Sequence, residues 1–178
     1  MQEPLPSSKD LPARLGQIMF FAAWIVGLAL LGLFFQQYLD GEDNPNRNLQ
    51  VTTSSDGRAQ VVLKPNRLGH YVAPGTINGT PVTFLVDTGA SAVALPLELA
   101  RQLALPLKAG GRSKTANGIV DTWTTRIDRL TIGGLSAQNI HAVVMPNMPG
   151  HEVLLGMTFL RRVDLLQRDD VLTLHAPR

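Results

Sequence analysis

The chain has 178 residues, 44% of them hydrophobic, which suits one domain with a buried core plus an extension. Its formal net charge is only +2, and its basic residues are scattered without interleaved aromatics, which argues against a nucleic-acid-binding surface. It contains no cysteine, which excludes disulfides, thiol catalysis and zinc-thiolate sites and says nothing about compartment.

Residues 1–17 carry three prolines and mixed charge and read as a short tail. Residues 18–35, "IMFFAAWIVGLALLGLFF", form an 18-residue run without a charge. As a helix this run spans roughly 27 Å, close to the ~30 Å hydrocarbon core of a bilayer. A buried soluble helix of this length is seldom apolar all round. A cleaved signal peptide would need a small-x-small site, which "QQYLDGEDN" does not offer. The run is therefore read as an uncleaved transmembrane helix, with Trp24 inside it and Tyr38 at its far end as an interfacial aromatic. Lys9 and Arg14 precede the run, whereas Arg47 follows it beside Asp40, Glu42 and Asp43. That asymmetry places the N-terminus in the cytoplasm and sends the rest across. Residues 36–59 are polar, lack a sustained period and read as a flexible linker.

From residue 60 to 178 the texture is β. Short runs rich in Val, Ile, Leu and Thr alternate with Gly, Pro and Asn, and predict strands near "QVVLK", "GHYVAPGTI", "PVTFLV", "AVAL", "TWTTRIDRLTI", "NIHAVVM", "EVLLG" and "VLTLH". Asn78-Gly79 supplies a positive-φ pair for a hairpin turn. "PLELARQLAL" and "GMTFLRR" read as two short helices, the first with Pro96 in its opening turn.

Within this region Asp87-Thr88-Gly89 stands between two apolar runs, Val82 to Val86 and Ala92 to Leu95. A plain turn has no need of such dense apolar flanks. A carboxylate at the mouth of a core is a candidate catalyst. "DTGAS-AVALP" resembles the active-site segment of aspartic proteases, and the whole β region is similar to the single-lobed retropepsin-like members, including membrane-tethered bacterial ones. Two further elements carry the likeness. "VLLG", with Leu154, Leu155 and Gly156, matches the apolar-apolar-Gly element that crosses behind the catalytic loop. "RSKTANGIVDTWTTR" has strand-like arms about Asn117-Gly118 and matches the flap hairpin.

The resemblance implies an all-β, retropepsin-like single-lobe β-barrel with one or two short helices, preceded by the transmembrane helix. It implies a catalytic Asp87, a Thr88 that bonds across to a partner loop, and a Gly89 whose backbone N–H approaches the carboxylates. Ala90, Ser91, Asn117, Gly118 and Ile119 would face the peptide substrate. Peptide hydrolysis by this route uses two carboxylates sharing a proton, and the chain has a single Asp-Thr-Gly, since Asp121-Thr122 is followed by Trp123. A homodimer with Asp87 from each chain is therefore implied. Ala90 stands where two-lobed relatives carry a hydroxyl bonded to the acid, which implies activity at milder pH than a pepsin's. Viral relatives place Arg after the apolar-apolar-Gly element and an acid at the position of Ser91. Here Met157 and Ser91 replace both ends of that tie.

Other signals are weaker. His70, His141, His151 and His175 lack ligand spacing, so no metal is expected, and no cofactor is required. Ser91 lacks the setting of a serine nucleophile. The glycine pair in "TIGGL" fits a hairpin turn. Trp123 is equally suited to a substrate pocket or to the core. The resemblance, taken with the apolar run, implies a bacterial inner-membrane aspartic endopeptidase with a periplasmic catalytic domain. The rival is a catalytically silent, membrane-tethered peptide-binding module of the same fold.

Overall fold

The computed structural model describes residues 10–54, 56–115 and 118–177. The chain divides into two units, residues 1–41 and 42–178. The apolar run lies in one helix, α1 (Asp10–Asp43), which starts inside the stretch read as a tail. Its long alanine- and leucine-rich interior contains no proline beyond the first turn, and Pro45 follows its end, where it disfavours helical geometry in the residue before it. Every side chain from Arg14 to Gln37 is exposed. Residues 14–43 are long and apolar enough to cross a membrane.

The second unit is built from β1 (Val51–Thr53), β2 (Ala59–Leu63), β3 (Val72–Ile77), β4 (Thr80–Val86), β5 (Val93–Pro96), α2 (Leu97–Gln102), β6 (Lys108–Thr115), β7 (Gly118–Ile132), β8 (Leu135–Met145), β9 (Val153–Leu155), α3 (Met157–Leu160), β10 (Asp164–Arg168) and β11 (Val171–His175). One sheet has the order β1-β2-β11-β10. The other runs β3-β4-β9-β5-β8-β7-β6, and β7 also pairs with β3. That last pairing, Thr76 with Thr131 and Ile77 with Leu130, closes six strands into a barrel. Closure requires a glycine at 75, because a Cβ there would lie 2.3 Å from the Thr131 carbonyl oxygen and 2.5 Å from the Phe84 ring.

Alternation of apolar and polar residues supplies the core. Phe84, Leu95, Ile127, Leu130, Ile140, Val144, Leu155, Phe159 and Leu160 are buried together. The expected all-β barrel with two short helices is what forms, and Asn78 (φ 50°) with Gly79 (φ 85°) makes the expected hairpin turn. Strand β8 is longer than the predicted "NIHAVVM". Its inward residues Leu135 and Ala137 precede a two-residue exposed step at Gln138-Asn139, after which Ile140, Ala142 and Val144 resume. Asn139 has φ 56°, and it and Asp128 are both skipped while the register holds on either side, so this irregularity hides the first part of β8 from the alternation. β10 was not anticipated either; all five of its residues are exposed, so it carries no alternation.

The segment 36–59, read as a linker, holds the end of α1 and all of β1. It is secured by Asn46, which is buried at 5% exposure. Its Nδ2 donates to the carbonyls of Lys64 at 2.8 Å and Val72 at 2.7 Å, and its Oδ1 accepts from the Lys64 N–H at 2.8 Å. Just ahead of β2, Arg58 reaches Asp56 and Asp164, each at 2.6 Å, and donates to the Ala176 carbonyl at 3.0 Å. Hydrogen bonds from the Ser54 hydroxyl and from Arg58 lower the Asp56 carboxyl to about 2. The Asp56 carboxylate therefore stays charged well into the acid range.

Replacing Asn46 with Ala removes all three side-chain bonds and leaves buried backbone groups without partners. Asn46→Ala is expected to cost about 2–4 kcal/mol, measured by urea unfolding; a change below about 0.5 kcal/mol would mean that water replaces the side chain.

Candidate active site

Asp87 sits immediately beyond β4, at the entry to the loop 87–92 that leads into β5. The two strands are not neighbours. β9 lies between them, parallel to β4 (Phe84 with Val153, Leu85 with Leu154, Val86 with Leu155) and antiparallel to β5 (Ala94 with Leu154). The loop must therefore pass over the end of β9. Its two sides are bonded to what passes beneath: the Asp87 N–H donates to the Leu155 carbonyl at 3.3 Å, and the Met157 N–H donates to the Ala90 carbonyl at 2.9 Å.

Gly156 occupies the crossing point. A Cβ there would lie 2.1 Å from the Ala92 carbonyl oxygen, 2.6 Å from its carbon and 2.8 Å from the Ala90 oxygen. All three are backbone atoms, which cannot rotate out of the way. Leu155 and Val153 are buried and Leu154 is half-buried, so the strand beneath the loop is rooted in the core.

The carboxylate is held from its own loop. The Gly89 N–H donates to Asp87 Oδ1 at 2.9 Å, and the Ala90 N–H to the Asp87 carbonyl at 3.2 Å. A Cβ on residue 89 would lie 3.2 Å from that same Oδ1, so a glycine leaves the approach open. Asp87 and Ala90 are half-buried, whereas Thr88, Gly89 and Ser91 are exposed. The arrangement is a carboxylate fixed by backbone donors at the rim of a barrel, with its neighbours open to a partner or substrate.

The flap arms form as a hairpin. β6 and β7 pair antiparallel from Lys108 with Thr124 to Thr115 with Gly118, with a register shift between Ala109 and Gly111. Asn117 lies outside the described residues. Gly118 and Ile119 begin β7, and Ile119 is 61% exposed. Their pairing partners are Thr115 and Lys114, so the register places them in the hairpin. Asp121 lies within the same hairpin opposite Arg112. Trp123 is half-buried and packs against the core. Among the described residues no group of three His, Asp or Glu is placed to hold a metal.

Two contributors had no sequence signal. Thr158, in α3, accepts from the Val93 N–H at 2.9 Å and donates to the His141 carbonyl at 2.9 Å, joining β5 and β8 to the helix behind the loop. The Tyr71 carbonyl accepts from the Val86 N–H at 2.9 Å, one residue before the acid. The first depends on a single threonine and the second on a main-chain atom.

Residues 73–162 match the family profile described as "gag-polyprotein putative aspartyl protease". A Sinorhizobium sp. protein described as an "Uncharacterized protein in cobV 5'region" is 34% identical over 166 residues, covering 86% of this chain and 71% of that protein. The crystal structure of a retropepsin-like aspartic protease from Rickettsia conorii is similar at 29% identity and a TM-score of 0.60, covering 71% of this chain and 96% of that one. The EIAV protease, in complex with the inhibitor HBY-793, is 24% identical with a TM-score of 0.44, over 51% of this chain and 84% of that one.

Because the loop and β9 share the space at residue 156, Gly156→Ala is expected to cost about 3 kcal/mol or more. Thermal unfolding measures the loss. A variant as stable as the parent would show that the loop has room to rise off the strand.

Proposed function

The chain belongs to the retropepsin-like aspartic protease family, and on that footing we propose that it is a membrane-anchored aspartic endopeptidase, active as a homodimer with one Asp87 from each protomer. The observation that carries the proposal is the half-buried Asp87, fixed by the Gly89 N–H and backed by β9, in a chain with one Asp-Thr-Gly. One carboxylate cannot both take a proton from water and give one to the substrate carbonyl in the same step. Two carboxylates sharing one proton can.

In this reading the ionised Asp87 takes a proton from a water whose oxygen bonds to the peptide carbonyl carbon. The protonated Asp87 of the partner donates to the carbonyl oxygen. The C–N bond of the resulting gem-diol breaks as the amine takes the proton now held by one Asp87, a diol hydroxyl gives its proton to the other, and the dyad is left singly protonated. Thr88, exposed in the single chain, is available for a bond to the partner's loop. Ala90, Ser91, Asn117, Gly118 and Ile119 line an extended peptide that pairs its backbone with the flap and cleft floor. The exposed strand β10, with Leu165 38% and Leu166 52% exposed, offers an unpaired edge to a second copy. Confinement of two helices to one bilayer raises the effective concentration of the protomers.

We assign residues 18–35 to the membrane span, residues 1–17 to a cytoplasmic tail and residues 60–178 to a periplasmic catalytic domain at the bacterial inner membrane. The exposed apolar surface of α1 and the placement of Lys9 and Arg14 ahead of the run support this.

Asp87→Asn keeps the shape of the side chain and removes the shared proton. Peptide cleavage by the purified variant is expected to fall by about 10²-fold to 10⁴-fold or more. Cleavage at the parent rate would refute the dyad. A parent that binds peptides without ever cleaving them would favour the silent module.

The pH–rate profile of cleavage is expected to be bell-shaped, because the dyad works only with one proton. With Ala90 contributing no hydroxyl, its maximum is expected well above pH ~2. A maximum near that value would contradict the role given to Ala90.

A further inference from the structure

One continuous segment, residues 155–158, holds the Asp87 loop at its entry, its middle and its exit. At the entry the Asp87 N–H donates to the Leu155 carbonyl at 3.3 Å. In the middle the Ala90 carbonyl accepts from the Met157 N–H at 2.9 Å. At the exit the Val93 N–H, the first of β5, donates to the Thr158 hydroxyl at 2.9 Å. The entry and middle contacts run between main-chain atoms and do not depend on the side chains that carry them. The exit contact exists only because residue 158 has a hydroxyl.

That hydroxyl has a second partner, since it donates to the His141 carbonyl at 2.9 Å. β5 and β8 run parallel, with Val93 opposite Ala142, the residue after His141. The hydroxyl thus stands at the head of this ladder, accepting from one strand and donating to the other, which a side chain with both a donor and an acceptor can do at once. Its own helix is rooted beneath it, because Phe159 and Leu160 are fully buried.

The loop so held carries the acid with it. Among the described residues the Asp87 carboxylate has one hydrogen bond, from the Gly89 N–H of the same loop at 2.9 Å. A shift of the loop at its exit is therefore passed to the carboxylate.

We propose that Thr158 is a positioning residue for the Asp87 dyad, its hydroxyl fixing the exit of the loop and through it the separation of the two carboxylates. This rests on the homodimeric protease reading. Thr158 acts through Val93 and takes no part in the proton transfers. The separation has its own signature. Two acids that share a proton titrate as a pair, and the interval between their two apparent values widens as they are held closer. Loosening the exit lets the carboxylates spread, brings the two values together and narrows the bell of the pH–rate profile.

The full-length chain is assayed as parent, Thr158→Val and Thr158→Ser, with active dimers counted by titration with a statine-type inhibitor. Val keeps the branched shape and removes both bonds, and Ser restores the hydroxyl. In Thr158→Val, kcat per titrated dimer is expected to fall about tenfold or more with KM little changed, as for a misplaced reacting group. Its pH–rate bell is expected to narrow by about one pH unit. Thr158→Ser is expected to return both to the parent's values. If Thr158→Val merely lowers the number of active dimers, each turning over at the parent rate with the parent's profile, the hydroxyl serves stability alone and the proposal fails. If Thr158→Ser behaves as Thr158→Val does, the methyl group is what matters and the proposal also fails. If Thr158→Val does not fold, Thr158→Cys, a weaker donor and acceptor, is read by the same outcomes. If the parent cleaves no peptide, the protease reading fails and the proposal falls with it.

Discussion

The placement of the Asp87 loop depends on the absence of one side-chain atom. β9 threads between β4 and β5, and the chain that connects those strands has to cross it. Contact at the crossing is so close that only glycine fits at position 156. Interiors pack at crystal-like density, so such a contact transmits position as well as energy. Asp87 is thus located by a strand that lies far from it in sequence. Phe84, Leu155 and Phe159 hold that strand and the helix after it in the core, and Thr158 joins them to β5 and β8. A carboxylate on a free loop would have the same chemistry without the same placement.

A second constraint is stoichiometric. The barrel closes with a single acid at its rim, and the neighbouring Thr88 and Gly89 stay open to solvent. The proposed reaction needs two acids, so the unit of function is larger than the chain. Asn46 and Asn66 secure residues 43–46 to the barrel and make them part of the unit 42–178.

Much of the architecture was legible in residue patterns. Alternation marks β2 and β11, whose burial alternates along the strand, whereas β5, buried at all four positions, shows as a short continuous apolar run. What escaped did so for identifiable reasons. The two-residue exposed step at Gln138-Asn139 interrupts the alternation, so only the second part of β8 was read. β10 is exposed on both faces and leaves no pattern at all. β1 is three residues long, and its partner β2 begins six residues after it ends. Asn46 reads as one polar residue among many, and its role arises only because Lys64 and Val72 are brought to it.

By itself the sequence determined the chemistry on offer: one acid in an Asp-Thr-Gly turn between apolar strands, no thiols, and one long apolar helix. It determined the class of fold as well, because alternating or short continuous apolar runs bounded by turn residues mark most of the strands that meet the core. Only the tertiary structure decided where the acid stands. The crossing of the loop over β9, the glycine that permits it, and the bonds of Thr158 and Asn46 join residues separated by tens of positions. No local period encodes such contacts, because they exist only once the barrel has closed.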